Sequence, residues 1–99
     1  MSILMEVLKE EMDRLERQQL AYEADLQEIP KGYISKKKVR GKISYYLQHR
    51  DGNKIISKYI SANDLPKVEE QVRRRKQLEA SLRRVKEDKK ALRKVLKEK

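Results

Sequence analysis

Two glycine dipeptides, Arg40-Gly41 and Asp51-Gly52, cut residues 33–60 into three short runs rich in β-branched residues and tyrosine. The runs are Tyr33–Lys38, Lys42–Arg50 and Lys54–Ile60, and their composition favours strands. Asp51-Gly52 is the stronger hairpin signal, because a type I′ turn needs positive φ at both central positions. Arg40-Gly41 is the weaker one. Tight turns at both places predict an antiparallel meander. Alternation then sends Ile34, Ile43, Tyr45, Leu47, Ile56 and Ile60 to one face, together with Lys36, Lys38 and Lys58. The other face receives Tyr33, Lys37, Lys42, Tyr46, Gln48, Arg50 and Tyr59, interspersed with Ser35, Val39, Ser44, Ile55 and Ser57. The aliphatic face is expected beneath helices and the basic, aromatic face in solvent.

The flanking segments are helical. Met5, Leu8, Met12, Leu15, Gln19, Tyr22, Leu26 and Ile29 alternate steps of three and four, which is a heptad seam with one polar member. Pro30 and Gly32 end it. After the meander, Asn63 or Asp64 can cap a second helix, and Pro66 suits its first turn. Its seam runs through Val68, Val72, Leu78, Leu82, Val85, Leu92 and Leu96, with Arg75 and Lys89 in between, and the step from Val72 to Leu78 interrupts the heptad. The fold class expected is α+β: a long N-terminal helix, a three-stranded antiparallel meander and a long C-terminal helix, with the helices paired as an antiparallel coiled coil. One domain over residues 1–99 is expected, comprising an acidic helix at 1–29, a basic meander at 33–60 and a basic helix at 64–96.

Charge follows the same partition. Residues 1–29 hold three basic and eight acidic residues, a net of −5; residues 30–60 hold nine and one, a net of +8; residues 61–99 hold fourteen and seven, a net of +7. The opposite signs of the two helices favour their pairing with each other, with Glu11, Glu16 and Glu23 expected near Arg73, Lys76, Arg83 and Arg84. The total of +10 points to a polyanionic partner.

Several function classes drop out. With no cysteine there is no disulfide, thiolate metal site or cysteine nucleophile. His49, the one histidine, has no acid or second histidine at metal-ligand spacing. Glu10-Glu11 and Glu69-Glu70 read as ordinary helix-face acids, and glycine-rich phosphate loops and nucleophile elbows are missing. The start MSILMEVLKEE lacks the run and cleavage pattern of a signal peptide, and no 18-residue apolar window exists. No enzyme activity and no cofactor or metal are expected. The location expected is cytoplasmic, without membrane association.

The basic face supplies the functional expectation. Lysine and arginine neutralise phosphates, tyrosines can stack on bases, and Gln48 and Arg50 can donate to base edges. A small sheet can also sit in a major groove. The bland alternative is that the tyrosines pack the sheet and the lysines protect its edge. The residues singled out are Lys37, Lys42, Tyr46, Gln48, Arg50 and Tyr59, with Arg73 and Arg74 as flanking phosphate contacts.

Gly32, Ile34, Gly41, Lys42, Tyr45, Tyr46, Gly52, Lys54, Tyr59 and Ile60 resemble the pattern of a family of short uncharacterised bacterial and phage-associated domains, over roughly residues 29–85. That resemblance implies an architecture and no assigned activity. The sheet is also similar to the three-stranded arm-binding domain of tyrosine recombinases, which implies DNA binding. A hairpin between coiled-coil helices resembles the plan of prefoldin subunits. The expectation is therefore a non-enzymatic nucleic-acid-binding module, with DNA preferred. The alternative is a coiled-coil interaction or homodimerisation module, and a prefoldin-like holdase stands third.

Overall fold

The computed structural model describes residues 2–97. The elements run α1 (Ile3–Gln27), β1 (Tyr33–Val39), β2 (Lys42–Asp51), β3 (Lys54–Ile60) and α2 (Leu65–Lys97). This is the α+β arrangement expected: two helices flank a three-stranded antiparallel sheet of order β1-β2-β3. The chain forms two compact units, Met1–Glu28 with Gln77–Lys99, and Ile29–Lys76.

The first unit is a helical pair. Ser2 starts α1 as its N-cap, its hydroxyl accepting the Leu4 N–H at 3.1 Å, which satisfies one otherwise orphan donor. Every expected seam position in α1 from Met5 to Leu26 is half-buried or buried. On α2 the matching positions are Leu78, Leu82, Val85, Lys89, Leu92 and Leu96. Leu15 and Val85 form the centre, at 3% and 6% exposure. The two polar seam members meet, Lys89 Nζ donating to Gln19 Oε1 at 2.9 Å. Leu15 and Glu11 share a shallow groove with Asp88, Ala91, Leu92 and Val95. Partners thus descend α1 as they ascend α2, so the pairing is antiparallel.

Glu11 finds a partner other than the expected ones. Glu11 pairs with Arg14 one turn away on its own helix, and Glu70 pairs with Arg73 in the same way. The antiparallel register sets Glu11 beside Asp88 and Val95. The Arg14 guanidinium holds the Glu11 carboxyl below its usual value, and the same contact raises Arg14.

The second unit is the meander with the first turns of α2. Ser61 prepares the helix: its hydroxyl accepts the Asp64 N–H at 3.3 Å, and its carbonyl accepts from Asp64 and Leu65. Asp64 then accepts from Val68 through its carbonyl at 3.0 Å. Asp64, one of the two expected caps, thus holds the position before the helix, and the side chain that caps the preceding turn is that of Ser61. The interrupted heptad is filled by Arg75, which is half-buried and donates to the Ile29 carbonyl at 2.6 Å. Val72, Arg75 and Leu78 therefore follow two consecutive steps of three, the spacing of a stammer. The division between the two units falls within it, after Lys76.

The first turn stands where expected and the second differs from its expected type. Arg40 and Gly41 both have positive φ, 53° and 79°, the signature of a type I′ turn. In the second hairpin Asp51 pairs with Lys54, so the two loop residues are Gly52 and Asn53. There Gly52 has φ 63°, and Asn53 is not in the positive region, which matches type II′. The glycine works as the first loop residue and Asp51 ends β2, one residue later than the sequence pattern set it. The shift changes the β2–β3 partners, so that Gln48 faces Ser57 rather than Ile55, while every residue keeps its expected face.

Candidate nucleic-acid interface

The register fixes which side chains share a face. Lys37 opposes Ser44, Ser35 opposes Tyr46, and Tyr33 opposes Gln48. Across the other ladder Tyr46 opposes Tyr59, Gln48 opposes Ser57, and Arg50 opposes Ile55. Lys37, Lys42, Tyr46, Gln48, Arg50 and Tyr59 therefore lie on one face, as alternation predicts.

That face is organised by contacts among its own members. The Lys37 ammonium lies 5.0 Å from the centroid of the Tyr46 ring, a cation–π contact. On the other side Tyr59 meets Tyr46 edge to face, with centroids 5.8 Å apart and planes at 71°. Gln48 donates its side-chain amide to Ser57 Oγ at 2.9 Å. Tyr46 and Gln48 are half-buried by these neighbours, whereas Lys37, Lys42, Arg50 and Tyr59 are exposed, Tyr59 to 62%. Tyr46 is thus a central packing residue of the face, and Tyr59 is the ring free to stack on a ligand. Lys42 and Arg50 stand at opposite ends of β2, about 26 Å apart at the usual strand rise.

Arg73 and Arg74 are placed differently. Both are exposed on α2, and Arg73 is engaged by Glu70. The first turns of α2 adjoin the opposite, aliphatic face of the sheet. Asp64, Lys67, Val68 and Gln71 line a groove of about 600 Å³ with Leu47, His49, Ile56 and Ile60. The structure therefore does not bring the two arginines to the outward cluster. His49 belongs to the groove side.

Two features escaped the sequence reading. One is Ser57, which orients the Gln48 amide; the expected turn at Asp51-Gly52 would have set Ile55 opposite Gln48, and the loop at Gly52-Asn53 brings Ser57 there instead. The other is the constraint at Gly32. Its φ is +138°, and a Cβ there would lie 2.6 Å from the Gln48 carbonyl oxygen. Glycine at the entry to β1 is what allows the chain to approach β2 so closely.

A domain-family profile matches residues 6–74, more than half of the chain. The chain belongs to that family, a domain of unknown function, DUF6788. The family's span takes in most of α1, the whole meander and α2 as far as Arg74, so the outward face lies inside the DUF6788 domain. Membership agrees with the resemblance to a short uncharacterised domain and extends it towards the N-terminus, through α1. No curated protein and no solved structure matches the chain. Among the described residues, no helix of this DUF6788 member is long and apolar enough to cross a membrane.

Proposed function

We propose that this DUF6788 domain is a non-enzymatic nucleic-acid-binding module whose contact surface is the outward face of the meander, with duplex DNA as the preferred ligand. The observation that carries this reading is the exposed cationic strip of Lys37, Lys42 and Arg50 beside the exposed ring of Tyr59, all on one face. Duplex DNA presents one negative charge per about 1.7 Å of axis, and cations that neutralise phosphates release condensed counterions. Lys42 and Arg50 supply phosphate contacts at the two ends of β2. Gln48, its amide oriented by Ser57, and Arg50 offer donors to base edges. Tyr46 holds Lys37 and Tyr59 in place. The likeness to the arm-binding domain of tyrosine recombinases is an analogy of fold that leans the same way. Arg73 and Arg74, on the helix that adjoins the opposite face, are left out of this surface.

The test is a salt series of binding to a labelled duplex, read by fluorescence anisotropy. Each phosphate contact adds about 0.9 to the steepness of log K against log salt. Replacing Lys42 and Arg50 by alanine should lower that slope by about 1.8, two contacts' worth. Replacing Lys90 and Lys94, which remove the same charge from the far end of α2, should leave it nearly unchanged. The opposite pattern would assign binding to the helix and remove the sheet from the account.

A second reading is favoured by one observation. Ile3, Leu4 and Val7, at the start of α1, are exposed at 80%, 61% and 51%. They form the apolar helix end that a coiled-coil adaptor or holdase uses to hold another protein. Under that reading Ile3→Ser with Val7→Ser abolishes suppression of a model client's aggregation, followed by light scattering, and leaves DNA affinity untouched.

A further inference from the structure

The two edges of the sheet are built differently. β1 forms one edge and carries Lys36, Lys37 and Lys38 in succession. Consecutive charges on an edge strand oppose the addition of another strand. β3 forms the other edge, as KIISKYI, and is exposed along its whole length except at Ile60. Ile55 and Tyr59 stand on its outward side at 59% and 62% exposure, with Ile56 on the other side at 41%. No strand covers that edge among the described residues.

The hairpin sets which backbone groups are free. In a two-residue hairpin the closing pair, here Asp51 and Lys54, is directly hydrogen-bonded. Bonded pairs then recur at every second residue, so Lys54, Ile56, Lys58 and Ile60 point their N–H and C=O groups at β2. Ile55, Ser57 and Tyr59 point theirs at the empty edge.

We propose that this edge is a self-association surface, where β3 of one copy adds antiparallel to β3 of a second copy about a two-fold axis at Ser57. Charge and hydrogen bonding select that register. With Ser57 opposite Ser57, Ile55 faces the second Tyr59 on both sides of the axis, and Lys58 faces Ile56. All three free-edge residues then meet free-edge residues. Slipping the pairing by two positions in one direction sets Lys54 against Lys58, and in the other sets Lys58 against its own copy; each opposes like charges. Slipping by one position opposes free-edge residues to residues already bonded to β2, and the ladder cannot form. The isoleucine–tyrosine pairs are of the aromatic–β-branched kind that stabilises antiparallel sheets. The contact is isologous and closes as a dimer rather than growing into a fibre, because the lysine-bearing β1 edges remain outermost. Both outward faces come to lie on one side of the joined sheet. The dimer itself does not depend on nucleic-acid binding.

The full-length chain without nucleic acid tests this. Sedimentation equilibrium should show its mass rising with concentration from 11.8 kDa towards twice that value. Ser57→Pro removes a free-edge N–H that β2 does not use, and should hold the chain at the monomer mass with its circular dichroism retained. The chain has no cysteine, so Ser57→Cys and Lys36→Cys each introduce a single thiol. A short bis-maleimide should couple the Ser57→Cys chains into covalent dimers and leave the Lys36→Cys chains single, a result that stands even if the proline variant fails to fold. A monomer at every concentration, or equal coupling at the two sites, overturns the proposal. So does a dimer that persists in a folded Ser57→Pro chain, which would move the contact elsewhere.

Discussion

The helical pair and the meander use the chain's few apolar residues in opposite ways. In the pair, Leu15 and Val85 are almost fully enclosed, and the polar seam members Gln19 and Lys89 satisfy each other. In the meander, Ile60 is enclosed, while Ile43, Ile55, Ile56 and Tyr59 remain open to solvent. A heptad seam closes on itself as soon as two helices lie together. A three-stranded sheet has two faces and two edges, and one short helical segment cannot cover them all. The pair therefore uses its hydrophobic residues for stability, and the meander leaves side chains and an edge open to solvent.

The largest effect expected from breaking this contrast is at the centre of the pair. Leu15→Ala should lower the urea-unfolding free energy by about 3 kcal/mol, since a buried leucine leaves both lost contacts and a cavity. In the meander the most damaging single change should be at a backbone position rather than an apolar one. Gly32→Ala should cost about 2 kcal/mol, from a φ that disfavours side chains and a contact with the Gln48 carbonyl that the backbone must move to relieve. Gln19→Ala comes next, at about 1 kcal/mol, because the half-buried Lys89 loses its acceptor. Making both residues leucine should restore the stability while loosening the register, visible as new associated species in sedimentation. Ile55→Thr should change stability by less than about 0.5 kcal/mol, as expected for an exposed position away from the core.

The smallest effect concerns pH. Glu11 is held below its usual carboxylate value by Arg14. Its contribution is therefore complete above that usual value and is lost as pH falls through the lowered one. Glu11→Gln should flatten the acid limb of the stability curve slightly and leave neutral pH almost unchanged.

Much of this fold was readable from the sequence because its signals are periodic. The seam from Met5 to Leu26 and the strand alternation each repeat often enough to fix a face. The β1–β2 register followed from the turn at Arg40-Gly41, whereas in the second hairpin only the faces followed and the partners did not. Asp51-Gly52 has the composition of a type I′ loop, yet the ladder takes Asp51 as its last rung and leaves Gly52-Asn53 to turn. Of the acids expected to face the basic helix, Glu11 instead finds Arg14 one turn away on its own helix, where no second element has to be positioned. For the candidate site, alternation placed six residues together but could not separate their roles. That Tyr46 is enclosed between Lys37 and Tyr59 depends on rotamers, and that Arg73 and Arg74 stand apart from the face depends on where α2 begins its course.

The central claim is that the outward face of the meander is the surface that meets DNA. Amide chemical-shift mapping during titration with a short duplex tests it most directly. Perturbations should gather at Lys37, Lys42, Gln48, Arg50 and Tyr59 and fade along α2 beyond Gln77. Perturbations confined to the lysine-rich turns at 86–97, with β2 silent, would contradict it.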